Sequence, residues 1–233
     1  MRYRDRREAG RRLALVLGAF EERLDVTVLG LPRGGVPVAY EVARALHVEL
    51  DIVAVRKLGL PGQPEFAMGA IALGGIVVLD EDLIAMMGVT PVALERVIAV
   101  ERAEVARRER SYRGSRPPLD VRDRTLILVD DGLATEAGVR AAVTALRRGK
   151  PASILVASPV GSREVCRAIA ACTDGCLCPE MPEPFYTVAL WYEDFSATSD
   201  SEVTELLNHA RASAGKPMRE HVIHRRGRES IAG

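Results

Sequence analysis

Two carboxylates stand side by side at Asp130-Asp131, directly behind Thr125 to Val129, a run aliphatic enough to be a strand covered on both faces. Acids at a buried strand end need a partner, because a carboxylate taken out of water is costly unless it is paired. The hydroxyl pair of a sugar or a hard divalent cation meets that need. The next residues, Ala134, Thr135, Glu136, Ala137 and Gly138, run into a helical pattern that extends to Arg148. A helix amino terminus offers unpaired N–H groups to a phosphate. One site could therefore hold sugar, metal and phosphate. The plainer reading is that the acids end a strand and cap the next helix.

Two more loops follow apolar runs. Val26 to Leu31 breaks at Pro32-Arg33-Gly34-Gly35, and Leu50 to Val55 ends in Arg56-Lys57 before a Gly59-Leu60-Pro61-Gly62 breaker. Glycines beside Arg33 let backbone approach an anion, and three strand-end cations could converge on one ligand. Solvated surface charge is the alternative reading of all three.

The elements that must carry these loops alternate. Asp5 to Phe20 has apolar residues at helical spacing and predicts an amphipathic opening helix. A helix over Val38 to Leu46 follows the first strand. Phe66 to Leu73 and Ile76 to Leu79 flank Gly74-Gly75 and predict a hairpin inserted between parallel units. Pro91 to Arg113 reads as one long charged helix, with Glu104 and Arg108, and Glu109 and Arg113, at supporting i, i+4 spacing. Helix over Gly138 to Arg148, strand over Ala152 to Ser158, helix over Arg163 to Ala171, strand over Gly175 to Cys178 and a closing helix over Glu202 to Ala212 complete the pattern. Such alternation predicts a doubly wound, mainly parallel α/β sheet whose ligands lie beyond the carboxyl ends of its strands. One domain over 1–213 is expected, with an insertion at about 58–116 and a small C-terminal hood at about 179–213. The polar residues 214–233, among them Lys216, Arg219, Arg225, Arg226 and Arg228, form an expected disordered basic tail.

Lysine plus arginine equals aspartate plus glutamate at 32 each, so no global field favours nucleic acid, anionic membrane or a polyanion. No apolar run approaches the roughly 20 residues that span a bilayer, and the amino terminus lacks a signal-like apolar core, which together predict a cytoplasmic protein. Cys166, Cys172, Cys176 and Cys178 lack paired C-x2-C knuckles and read as reduced, buried thiols ahead of a zinc site. Phe185, Tyr186, Trp191, Tyr192 and Phe195 are half of the aromatics in a chain with 4% aromatic content. They are either a stacking wall for a base or a satellite core under the last helix. Tyr112-Arg113-Gly114 ends the long helix as a solvated terminus or as part of a lid.

The run hydrophobic-hydrophobic-Asp-Asp-x-x-Ala-Thr over Leu128 to Thr135 resembles the signature of type I phosphoribosyltransferases, and is nearest in motif to the adenine-specific ones. Leu31 to Gly35 resembles the family's first-strand diphosphate loop, and Val55 to Leu58 with Leu60-Pro61-Gly62 resembles its basic second-strand element. The three loops arrive in the family's order, and the resemblance covers Val26 to Cys178. It implies that Asp130 and Asp131 hold ribose hydroxyls and touch Mg2+, directly or through water. Ala134 to Gly138 would then wrap the 5-phosphate, and Arg33, Gly34, Gly35, Arg56 and Lys57 the diphosphate. Phe185, Tyr186 and Trp191 would line an acceptor hood, and a homodimer is common in the family. This chain departs from the pattern at Glu136, where the family has glycine, and at Gly138, where it has threonine.

The implied reaction moves a 5-phosphoribosyl group from phosphoribosyl diphosphate to an acceptor, as of a nitrogenous base, and releases diphosphate. Asp130, Asp131 and Arg33 are the candidate catalytic residues. Two rivals use the same loops: a non-catalytic module that senses phosphoribosyl diphosphate or a nucleotide, and a magnesium-dependent sugar-phosphate hydrolase. No Walker, dinucleotide or nucleophile-elbow motif is present.

Overall fold

A computed structural model describes residues 2–114 and 119–214. The basic-tail residues lie outside the described residues. Helix α1 (Arg6–Val16) opens the fold, capped by the Asp5 carboxylate, which accepts from Glu8 N. Strand β1 (Val26–Gly30) leads through a tight loop into α2 (Gly35–Leu46), and β2 (Glu49–Ile52) follows. An antiparallel unit of β3 (Val55–Leu60), β4 (Gln63–Ala72) and β5 (Ile76–Leu79) comes next, then α3 (Glu81–Met86) and the long α4 (Pro91–Arg113). The chain returns through β6 (Thr125–Val129), α5 (Ala137–Arg147), β7 (Ser153–Ala157), α6 (Arg163–Cys172), β8 (Gly175–Leu177) and α7 (Asp200–Ala214).

The principal sheet has five parallel strands in the order β2-β1-β6-β7-β8. Its central strands are buried on both sides, as their unbroken aliphatic runs require. Alternate residues divide between two cores. Val28, Ile127 and Val129 pack with α1, α2 and α7, whereas Leu29, Leu126, Leu128, Ile154 and Val156 pack with α5 and α6. A smaller cluster of Ala70, Ala72, Ile76 and Ala141 joins the antiparallel sheet to α5.

The run expected to be one strand over Leu50 to Val55 is two. Strand β2 stops at Ile52, and Val55 begins an antiparallel partner of β4 in a second sheet. Periodicity misled here because Val53 and Ala54 are apolar and buried at the crossing between the sheets. Gly59 and Leu60, expected in a breaker, are paired residues of β3, and the turn is at Pro61-Gly62, where Gly62 has φ 81°. Nor does α4 end in solvent or in a lid. Tyr112 and Arg113 are buried, and the Arg113 guanidinium lies 3.0 Å from the buried Asp51 carboxylate. The Glu104–Arg108 and Glu109–Arg113 pairs form at 2.8 and 3.6 Å. Cys166 and Cys178 are buried and Cys172 is exposed, against the expectation for it. Among the described residues, no group of three or more His, Cys, Asp or Glu side chains forms a metal cage, and no helix is long and apolar enough to cross a membrane.

Candidate active site

From β1 the chain steps to β2 on one side and later crosses to β6 on the other, so strand order reverses between β1 and β6. The crevice beyond the carboxyl ends at such a reversal is where doubly wound sheets bind ligands. Pro32 to Gly35 follows β1, and Asp130-Asp131 follows β6. The topology alone therefore brings two of the three sequence-predicted loops together.

Their contact depends on glycine. Leu31 N donates to Val129 O at 2.9 Å, and Gly35 N turns back to Leu31 O at 3.0 Å. A β-carbon on Gly35 would stand 2.6 Å from Val129 O and 2.9 Å from Asp130 Cα, and one on Gly34 would overlap the Asp131 carboxylate. No side chain fits at either position without moving backbone or a charged group.

The Asp130 carboxyl, next in sequence to that of Asp131, is held well above the usual carboxylate range by burial and then by its neighbour's charge. Asp130 Oδ1 also accepts from Asp131 N at 2.9 Å. Asp131 is anchored differently: Arg6 Nε of α1 donates to its Oδ2 at 2.7 Å, and the Tyr192 hydroxyl donates to its carbonyl at 2.6 Å. Burial, followed by the Asp131 charge, pushes the Tyr192 hydroxyl far above its ordinary range and keeps it a donor.

The loop from Ala134 to Gly138 leads into α5 with Ala134 and Thr135 exposed. Leu133, fully buried, pins its start through Leu133 N to Val160 O at 2.9 Å and Ser162 N to Leu133 O at 2.8 Å. The Glu136 carboxylate is drawn along the helix to Arg140, 3.2 Å away. That pairing offsets the Glu136 charge at the start of α5. Above Gly138 there is room, since a β-carbon would meet only Val55 Cγ1 at 3.8 Å.

The two sequence-predicted arginines are each paired with an acid. Arg33 is half-exposed on its loop, and its guanidinium lies 3.6 Å from Asp200 at the start of α7. Asp200 also accepts from the Tyr112 hydroxyl at 2.6 Å and lies 3.6 Å from Arg107, so one carboxylate joins the β1 loop to α4. Arg56 turns onto Glu101 of α4 at 2.7 Å, and Lys57 is exposed on β3. Neither stands at the end of a parallel strand as expected.

Of the aromatic segment, Tyr192 is buried with Tyr3, Ala9 and Val160, and Phe185, Trp191 and Phe195 pack around them. Tyr186 is exposed. Most of these rings form a satellite core, but against Tyr3 and Ala9 of the amino-terminal segment and α1 in place of the last helix, and the cluster abuts the site: a β-carbon on Gly132 would overlap the Val188 side chain.

Residues 18–190 match the family model described as the phosphoribosyl transferase domain. The chain belongs to that family. A Mycobacterium tuberculosis CDC 1551 protein named "Putative phosphoribosyl transferase" is 37% identical over 229 residues, which is 94% of this chain and 52% of that one. Its counterpart in strain H37Rv matches equally. The chain thus spans about half the length of the curated relatives it matches. The crystal structure of TT1426 from Thermus thermophilus superposes with a TM-score of 0.74 at 41% identity, covering 90% of this chain and 99% of that one.

Within this phosphoribosyl transferase domain, sequence reasoning missed Arg6, Asp200 and the hydroxyl roles of Tyr112 and Tyr192. Each reaches the site from an element remote in the chain. Arg6 stands at the start of the opening helix beside the Asp5 cap, and the apolar spacing of that helix carries no sign of a partner 125 residues away.

Proposed function

We propose that this domain transfers a 5-phosphoribosyl group from phosphoribosyl diphosphate to an acceptor nitrogen and releases diphosphate. The observation that carries the reading is the side-chain-free contact of the Arg33-Gly34-Gly35 loop with Asp130-Asp131 at the strand-order reversal. In this reading diphosphate lies against the glycine loop and the ribose hydroxyls against the acids, with the α5 amino terminus beyond for the 5-phosphate.

Leaving-group departure gives the anomeric carbon oxocarbenium character and puts negative charge on diphosphate. Arg33 and the Gly34 amide would stabilise that charge. Asp130 and Asp131 hold the hydroxyls, and Ala134 to Gly138 grip the phosphate that does not react, which supplies orientation. Two adjacent carboxyl groups at the end of β6 suit Mg2+, which is commonly bound through one or two carboxylates and substrate oxygens. Asp130 and Asp131 would hold it, and when bound it would neutralise charge on the diphosphate.

Titration calorimetry with phosphoribosyl diphosphate and magnesium tests the reading, comparing wild type with an Asp130→Asn, Asp131→Asn variant. Micromolar binding that the variant loses is the expected result, and diphosphate release only with an acceptor separates a transferase from a hydrolase. Absence of binding up to millimolar ligand by folded protein would sink it. Binding without turnover for any nitrogenous acceptor would instead support the sensing module.

A further inference from the structure

The least expected contact in the site comes from α1. Arg6 is the first residue of that helix, and three local features fix it there. The Asp5 side chain caps the helix, Glu8 Oε2 accepts from Arg4 N at 2.6 Å, and Tyr3 forms a strand-like bridge with Tyr192. That bridge is closed by Tyr3 N to Trp191 O and Glu193 N to Tyr3 O, both 2.8 Å. From this base the Arg6 guanidinium has three simultaneous engagements: Nε to Asp131 Oδ2 at 2.7 Å, Nη1 to Ser196 O at 2.6 Å, and its plane 3.9 Å over the Phe195 ring. Both members of the ion pair are nearly shielded from solvent, with 11% and 15% of their side chains exposed.

We infer that Arg6 is the positioning residue of Asp131, holding its carboxylate over Gly34 at the angle from which it takes a ribose hydroxyl, so that affinity for the sugar depends on an arginine that need not touch it. This deepens the proposed function and rests on that reading. An unheld aspartate side chain rotates, and even a small misplacement of its oxygens weakens the grip on a bound hydroxyl steeply. Lysine cannot replace the arginine, because a point charge on a flexible stem has no planar fork to serve an acid, a carbonyl and a ring at once. The Tyr192 hydroxyl on the Asp131 carbonyl fixes the backbone of the same residue, so the amino-terminal segment and the hood act on one carboxylate from both ends.

The test uses ribose 5-phosphate and inorganic phosphate as probes, the second reporting on the α5 loop without the sugar. Their affinities are measured for wild type, Arg6→Met, Arg6→Lys, Asp131→Asn and the Arg6→Met, Asp131→Asn double variant. Wild type should prefer ribose 5-phosphate by about tenfold or more, the effect of hydrogen bonds to a charged group. Arg6→Met should erase most of that preference while phosphate affinity stays within about twofold, and it should add nothing further in the Asp131→Asn background. Arg6→Lys should fall near Arg6→Met, and it keeps the test open if the methionine variant does not fold. Undiminished preference in Arg6→Met, an equal loss for phosphate, or additive effects with Asp131→Asn would each overturn the inference. A wild type that binds phosphate but shows no preference for the sugar would remove the ribose site itself, and the inference with it.

Discussion

The Asp131 carboxylate occupies the space that a side chain on Gly34 would fill. The Asp131 carboxylate and the loop after β1 are therefore in direct contact, and neither can be altered alone. Gly34→Ala should displace Asp131 from Arg6 and destabilise the domain by about 1–3 kcal/mol, the usual cost of overpacking. Thermal melts should show that loss, and calorimetry with ribose 5-phosphate a much larger proportional loss of binding than the melt implies.

At Gly138 the opposite holds. The only neighbour of a new β-carbon is Val55 at an ordinary contact distance, and glycine within a helix costs up to about 1 kcal/mol relative to alanine. Gly138→Thr should leave stability unchanged or slightly raised, and a hydroxyl returned to the phosphate loop should tighten inorganic phosphate binding roughly tenfold. A weakened affinity in the calorimeter would mean that the loop grips its ligand elsewhere.

Asp200 competes with any anion for Arg33. Exposed ion pairs contribute about 0.2–1 kcal/mol, so freeing Arg33 by Asp200→Asn should improve diphosphate affinity by up to about fivefold. The same change loosens Tyr112 and Arg107 from the β1 loop. Phosphate binding at α5 should not respond, and a titration in which both ligands change alike would place Arg33 outside the diphosphate subsite.

Acid should act on α4 through Glu104. Hydrogen bonds from Arg107 and Arg108 lower its carboxyl from 4.5 to about 2. A depressed carboxylate stabilises the fold above its unfolded value, and the benefit is lost as pH falls from about 4.5 through 2. Because Glu104 is only partly buried and its partner Arg107 is half-exposed, about 0.3–1 kcal/mol is the expected size. The Tm gap between wild type and Glu104→Gln should be constant near neutrality and close over that window.

The alternation of strands and helices, the i, i+4 pairs of α4 and the buried run of β6 were legible because each is a local pattern with its own period. Glycine placement was legible too, since Gly34 and Gly35 mark a close backbone approach whatever the partner. What the pattern concealed was non-local. Arg6 and Asp131 are 125 residues apart, and Arg33 and Asp200 meet only once α7 is docked. The split between β2 and β3 stayed hidden because a change of sheet leaves an apolar run unbroken. Arg56 shows the limit of charge as a signal: its partner, Glu101, lies on a helix 45 residues downstream.

Helix α5 takes the Ala134 to Gly138 loop into its first turn and bears the antiparallel sheet along its flank, with Ala141 buried against Ala70, Ala72 and Ile76, and Val55 over Gly138. The two share a wall. The antiparallel sheet cannot swing without dragging the first turn of α5 along, so in mechanical terms it is foundation.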